Sequence, residues 1–407
     1  MRRIHLPAPA NGVSFAAMDL TDRFLALQAL LEDYAEVWRP RPFCVDTPAW
    51  TPRFPALQTA VLRLDEAELV RLQADEAAAL AWVSAQLPAL AVLARLTVVE
   101  PCERHALPPC DAHFDWAIPG RKREQIEAFA AAVGPMEVPV LEWCAGKGHL
   151  GRRLGAGGVA VTSLEIDPAL SAECARLALR ARRVQHSVCA DALSDAGQAR
   201  VAGHHVVALH ACGELHRSLV RRAAQGGAEG FSIAPCCYDR GVGERYRPLS
   251  VTAALDLDAG DLRLALTDTV TATGRERRAQ GQARAYKLGF IALRQALEGS
   301  PYRPFRPVPA AWSRLAFDEF CRLLAAREAL ALPDSLRWAD WLAIGWARQA
   351  QVARYELVRH VFRRALELWL VGDLALGLTA AGYRVRLGQF CDRALTPRNL
   401  LVQAARA

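Results

Sequence analysis

The sequence predicts an α/β fold: a mostly parallel sheet, preceded by a helical region and interrupted before its last two strands. Three observations carry that reading. Between Val138 and Ala234, apolar runs of strand length alternate with runs of helical periodicity, as in a parallel sheet with helical crossovers. The first of these runs opens directly into a glycine-rich turn, Val140–Leu150 (VLEWCAGKGHL). Two further strand-like runs, Tyr383–Phe390 and Leu400–Ala404, follow only after a long stretch of different character.

Taken in order, the 407 residues suffice for two or three structural units. Residues 1–119 read as a helical accessory domain. Phe24, Leu27, Leu30, Leu31 and Tyr34 recur at helical spacing after Thr21-Asp22, which reads as a cap. A proline-rich loop (Arg39–Pro55) separates this helix from two more, Leu64–Leu72 and Glu76–Leu96, the second broken at Pro88. Four prolines between 101 and 120 mark a boundary, and Arg121–Val133 is a basic-headed helix. The strands of residues 120–240 are Val138–Cys144, Val159–Ile166, Val184–Cys189, His205–Leu209 and Gly230–Ala234, with helices near 149–156, 169–181, 192–201 and 214–225. Residues 241–349 read as a basic, mainly helical insertion. Residues 350–407 complete the core. There 352–378 reads as one long amphipathic helix, with Val358, Val361, Phe362, Ala365, Leu366 and Trp369 on one face and Arg359, Arg363 and Arg364 off it.

A hydrophobic content of 52% with 23% charged residues describes a globular chain and excludes a disordered one. The net charge of +7 permits an anionic partner without requiring one. The cysteine count is odd, at eleven, and no apolar leader follows Met1-Arg-Arg-Ile. Together these predict a reducing cytoplasm and free thiols. No apolar run approaches the roughly 18 residues of a membrane span.

A strand, glycine loop and helix in succession bind nucleotide-like cofactors at the carboxyl end of a parallel sheet. Gly146, Gly148 and Gly151 also spell the dinucleotide pattern G-x-G-x-x-G. Three acids at successive strand ends ring one cleft, and the first of them separates the two cofactor classes. Glu142 stands in the strand end before the loop; it would repel a pyrophosphate but offset the positive charge of S-adenosylmethionine. Glu165 ends the second strand, where an acid can accept both ribose hydroxyls. Asp191 ends the third, where a side chain can accept from an adenine amino group. The cofactor these residues favour is S-adenosylmethionine.

The runs E-W-C-A-G-K-G-H-L at 142–150, H-A-C-G-E-L at 210–215, P-C-C-Y at 235–238 and F-C-D-R-A-L-T-P-R-N at 390–399 resemble the class I methyltransferases grouped as methyltransferase domain 32. That group takes in tRNA ribose 2′-O-methylases and the glutathione S-transferase C-terminal-domain-containing protein. The resemblance covers about 120–240 and 355–405, and Cys144 stands where the usual loop has its first glycine. It implies a Rossmann-like class I methyltransferase sheet. The cofactor residues it points to are Glu142, Cys144, Ala145, Gly146, Gly148, Glu165, Ile166, Asp191, Ala192 and His210. His210–Glu214 would face the transferred methyl.

Candidate catalytic residues are His210, Glu214, Cys236, Cys237 and Tyr238. A ribose hydroxyl acceptor benefits from a general base, for which His210 and Glu214 are placed. His210 also reads as a strand-end histidine satisfied by backbone, and Glu214 as a first-turn acid favoured by the helix dipole. Pro235–Tyr238 reads as part of the acceptor pocket with Tyr238 stacking on a base, as plain packing, as a thiolate nucleophile, or as a metal contribution with Cys212. No metal set is assigned, because a vicinal pair is poor metal spacing and the chain has no C-x-x-C. Arg240, Arg245, Arg247, Arg275, Arg277, Arg278, Arg284 and Lys287 interleave with Tyr246, Tyr286, Tyr302 and Phe305, a pattern suited to looped RNA and equally to a solvated face. Glu244, Asp256, Asp258, Asp261 and Asp268 dilute it. The predicted function is therefore methylation of tRNA or rRNA. The alternatives are a protein or small-molecule methyltransferase, a silent cofactor-binding adaptor, and a dinucleotide oxidoreductase.

Overall fold

A computed structural model describes residues 18–110, 118–267 and 274–406. The predicted lack of a leader at Met1–Ile4 and the acid Asp268 fall outside the described residues. The chain is mixed α/β with one seven-stranded sheet, of order β3-β2-β1-β4-β5-β7-β6. The strands are β1 (Val140–Trp143), β2 (Val161–Glu165), β3 (Gln185–Cys189), β4 (His205–Cys212), β5 (Gly230–Cys236), β6 (Tyr383–Gln389) and β7 (Leu400–Arg406). β1 to β5 pair in parallel, while β7 runs antiparallel to both β5 and β6. Every residue of β1 and β5 is buried, as befits strands covered on both faces. All seven predicted strands are present, six with ends shifted by no more than a few residues. β4 runs on to Cys212, beyond the predicted Leu209, through an irregularity between Leu209 and Cys212.

Contacts divide the chain into two compact units that cut across the boundaries predicted at 119, 240 and 349. The sheet unit comprises Met1–Glu32, Leu93–Thr271 and Arg363–Ala407, and the helical unit Asp33–Val92 and Ala272–Phe362. In the sheet unit, the helix Gly120–Val133 packs Ile126, Phe129 and Val133 against Val140, Leu150 and Val207, and Phe390 meets Phe129 edge-on at 5.6 Å. The first helix runs Leu20–Asp33. Its start is held by the Asp19 carboxylate, which accepts from the Thr21 amide at 3.1 Å, in place of the predicted Thr21-Asp22 cap. In the helical unit, Tyr286 is packed edge-on between Phe317 and Phe320, with centroids at 5.2 and 5.4 Å. There the helices Gly274–Glu298 and Trp338–His360 approach closely enough that a Cβ on Gly345 would stand 2.3 Å from the Ala285 carbonyl oxygen.

The predicted long helix 352–378 is instead two, Trp338–His360 and Arg363–Ala380, meeting where the two units divide. Both bury apolar residues, so the hydrophobic pattern runs through the break without a signal. Arg359 and Arg364, predicted to lie off the apolar face, are buried. The Arg359 side chain donates to the Trp38 carbonyl at 2.7 Å and that of Arg364 to Glu367 at 2.7 Å. Among the described residues no helix is long and apolar enough to cross a membrane, and all eleven cysteines are free.

Candidate active site

The carboxyl ends of β2, β1, β4 and β5 stand side by side in the sheet unit, and the order reverses between β1 and β4. Crevices at such reversals are where open α/β sheets bind ligands. Cys144 leaves β1 in a left-handed conformation, φ 56°, which glycine adopts without strain. Burial, then Glu165, raises its thiol to about 12, so Cys144 stays protonated. The Ala145 amide donates to the Leu164 carbonyl at 2.9 Å, and the Gly146 amide to Glu165 Oε2 at 2.7 Å. Glu165 Oε1 accepts from the Asp167 amide at 3.1 Å. A carboxylate offers about four lone-pair sites, so Glu165 can clamp the loop and still receive two further donors. Ile166 beside it is 62% exposed, an apolar surface available to a ring. Asp191 is exposed and accepts from the Leu193 amide at 2.8 Å, with Ala192 buried behind it. Nothing lies within 4 Å of where a Cβ on Gly146 would stand, so the loop has open space above it.

Glu142 departs from its predicted role. It is 4% exposed, and its Oε2 accepts from Ser163 Oγ at 2.6 Å. The Gly151 amide also bonds it, and burial raises the carboxyl to about 7 despite these donors. Gln185 Nε2 adds a long contact at 3.5 Å to Oε2 and a shorter bond to Ser163 Oγ at 2.7 Å. Glu142 therefore braces the helix His149–Leu154 from beneath and does not present its carboxylate above the loop. Ser163 and Gln185 were not singled out in the sequence, because each stands beside other polar residues in its strand.

His210 interrupts β4 with φ 62°. Its Nε2 lies 3.3 Å from Gln125 Oε1, and Gln125 Nε2 donates to the Leu395 carbonyl at 3.2 Å. With Gln125 so oriented, Nε2 carries the hydrogen and Nδ1 the lone pair. Nδ1 is buried and has no hydrogen-bond partner among the described residues. Burial, then Arg398 and Lys122, lowers His210 to about 4, so it is neutral at neutral pH. The alternative of a backbone-satisfied histidine does not hold for this ring.

Glu214 does not join His210. It opens the helix Glu214–Arg221, where Arg217 at 3.2 Å and Arg221 both pair with it. That arrangement matches the helix-start reading. Tyr238 is also corrected: it is 2% exposed, and its hydroxyl donates to Glu367 Oε1 at 3.2 Å. A ring held there cannot stack on a substrate. Glu367, buried itself, is shared with Arg364 at 2.7 Å and Arg398 at 3.2 Å. Arg364 in turn donates to Asn399 at 3.2 Å. The run at 390–399 thus anchors the Pro235–Tyr238 segment.

Cys212, Cys236 and Cys237 bring their sulfurs within 4.8 Å of one another, so the thiols of both motifs meet. Hydrogen bonding from Cys236, opposed by burial and aided by Cys237, lowers Cys212 to about 6. Cys236 is correspondingly pushed up, so Cys212 ionises first.

Three of the four aromatics in the arginine and aromatic pattern are packed against other side chains. Tyr246 is buried and donates to Asp373 Oδ2 at 2.7 Å, Tyr286 is buried among phenylalanines, and Phe305 meets Phe290 edge-on at 6.1 Å. Arg284 pairs with Glu356, and Arg245 with Asp256 at 3.4 Å. Arg240, Arg247, Arg275, Arg277 and Arg278 are exposed.

Comparison with curated proteins and with solved structures gives no match for the chain. Residues 121–241 match the family model described as a methyltransferase domain. The segment that holds the glycine loop, the acids at the strand ends and the three clustered cysteines is thus similar to a methyltransferase domain.

Proposed function

We propose that the chain is an S-adenosylmethionine-dependent methyltransferase on a Rossmann-like class I sheet, with RNA as its acceptor. One observation carries the choice of cofactor. The Gly151 amide, in the first turn of the helix after the loop, is already bonded by the buried Glu142 carboxylate. A pyrophosphate needs the free amides and positive potential of such a helix start, and here an acid of the protein occupies one of those amides and stands beneath the others. The remaining groups fit a ligand carrying ribose, adenine and positive charge. Glu165 has lone pairs to spare for two hydroxyls, Ile166 offers an apolar face, Asp191 is exposed beyond it, and the space above Gly146 is open.

When bound, S-adenosylmethionine supplies an electrophilic methyl on a sulfonium. The protein's part is alignment, which in favourable cases contributes about 7–11 kcal/mol. His210 is neutral, with Nδ1 buried and its basicity lowered to about 4, so its part is to hold the acceptor in line and not to take its proton. Support for RNA comes from the exposed Arg275, Arg277 and Arg278 at the head of the helix Gly274–Glu298, since clustered cations draw a polyanion. The buried aromatics lend it none.

Calorimetry tests the cofactor. Wild-type protein should bind S-adenosylmethionine and not NAD(H). Glu165→Ala should bind it about 10- to 100-fold more weakly, the loss of one or two hydrogen bonds to a charged group. Unchanged affinity would remove Glu165 from the site. For the acceptor, modified nucleosides are compared between a deletion strain and its parent. A missing methylated nucleoside supports RNA, and an unchanged profile overturns it.

A further inference from the structure

We infer that Cys212, Cys236 and Cys237 form a binding site for one thiophilic divalent cation, zinc, held by three thiolates with a fourth position open. The three sulfurs lie within 4.8 Å of one another, Cys212 and Cys236 at 3.5 Å. Tetrahedral zinc with sulfur at about 2.3 Å places its ligands about 3.8 Å apart. The thiols are thus within about an ångström of the spacing that zinc imposes.

The backbone explains how a vicinal pair comes to converge. Successive side chains of an extended strand point to opposite faces, so Cys236 and Cys237 in a continued β5 would diverge. Cys237 instead takes φ 45°, a left-handed turn that brings its sulfur back to the side of Cys236. Cys212 arrives from the neighbouring strand, where its Cα is the register partner of Cys236.

The frame around the sulfurs is fixed by bonds that do not involve them. The Gly213 amide donates to the Cys236 carbonyl at 3.1 Å, and the Arg240 amide to the Cys237 carbonyl at 3.0 Å. The buried Arg217 guanidinium donates to the carbonyls of Tyr238 at 2.9 Å and Arg240 at 3.1 Å. Left-handed non-glycine residues cost about 1–3 kcal/mol each and persist where surrounding structure over-determines them. Cys237 is such a residue at the end of a fully buried strand.

Three protein ligands with an exchangeable fourth position is the arrangement of catalytic zinc, whereas structural zinc is closed by four. Cys236 is buried, but Cys212 and Cys237 are half-buried, leaving an approach from one side. The site ends β4, the neighbour of the glycine loop's strand, and β5 beyond it, at the edge where an acceptor would enter. A thiol, hydroxyl or amine bound to zinc there would release its proton to solvent more readily and be held as a nucleophile.

The test uses the full reduced chain. It is loaded with zinc, passed through gel filtration with a weak chelator, and assayed for metal. A parallel sample takes cobalt(II). The expected result is one zinc per chain, and with cobalt a thiolate charge-transfer band and the visible bands of a tetrahedral site. Cys212→Ser and Cys237→Ser should lose both signals while their circular dichroism melts show cooperative folding, and Cys189→Ser should keep them. Failure of folded, reduced wild-type protein to retain zinc overturns the site. So does retention of zinc by both serine variants, or a cobalt spectrum lacking the thiolate band. If the serine variants do not fold, the cobalt spectrum of the wild type decides. Zinc content is read without turnover, so the result is independent of whether the chain transfers methyl groups.

Discussion

Replacing Gly213 by alanine is expected to cost about 3 kcal/mol or more of stability and to scatter the three thiols. Gly213 has φ 49° and ψ −113°, a conformation that residues with a Cβ scarcely adopt. An added Cβ would lie 2.0 Å from the Arg240 carbonyl oxygen. That oxygen cannot retreat cheaply, because it accepts from the Glu214 amide at 3.1 Å and from Arg217 at 3.1 Å. Relief must come from moving the 237–241 strap or the start of the helix Glu214–Arg221. Either movement separates Cys212 from Cys236 and Cys237. Urea unfolding and the reaction rate of the thiols with a disulfide reagent read the two effects. A variant with the wild-type midpoint and wild-type thiol kinetics would show that the strap is mobile and that Gly213 is not its pivot.

The sheet was legible because burial and periodicity act locally. Most of its strands follow from apolar runs, β6 from alternation, and the loop from the glycines and the strand before it. The site was legible only in part, for three physical reasons. Left-handed backbone at residues other than glycine leaves no compositional trace, so the irregularity at His210 and the turn at Cys237 were unreadable. The meeting of Cys212 with a vicinal pair follows from strand adjacency and that turn, not from spacing along the chain. Finally, an apolar or aromatic residue announces burial but not its partner. Tyr238 reads as a pocket-lining ring and Tyr246 as one aromatic of an RNA-binding pattern until Glu367 and Asp373 are seen to receive their hydroxyls. The grouping of Asp33–Val92 with Ala272–Phe362 was hidden for the same reason: helical periodicity states which face is buried and is silent about what covers it.

Glu142→Gln is expected to change how stability depends on pH, and Glu142→Ala to weaken the protein throughout. The carboxyl of Glu142 has an ordinary value of 4.5 and is raised by burial to about 7 in the folded chain. Between those values the native state keeps a proton that the unfolded chain has released. The stability this group contributes is therefore complete below about 4.5 and is lost as pH rises through about 7. The change amounts to about 3 kcal/mol. Glutamine presents an acceptor to Ser163 Oγ and the Gly151 amide and has no charge to desolvate, so its variant should lack this part of the pH dependence. It should equal wild type near pH 4.5 and exceed it by about 3 kcal/mol above pH 7. Alanine instead leaves Ser163 and Gly151 without their acceptor and opens a cavity beneath the loop, a loss of about 3–5 kcal/mol. Urea unfolding across this pH range, read by exchange protection of the β1 amides, checks both. Parallel curves for wild type and Glu142→Gln would mean that the carboxylate is stabilised as an anion by its donors. The brace beneath the loop would then be a salt-tolerant charge, and its negative potential would reach the cofactor site after all.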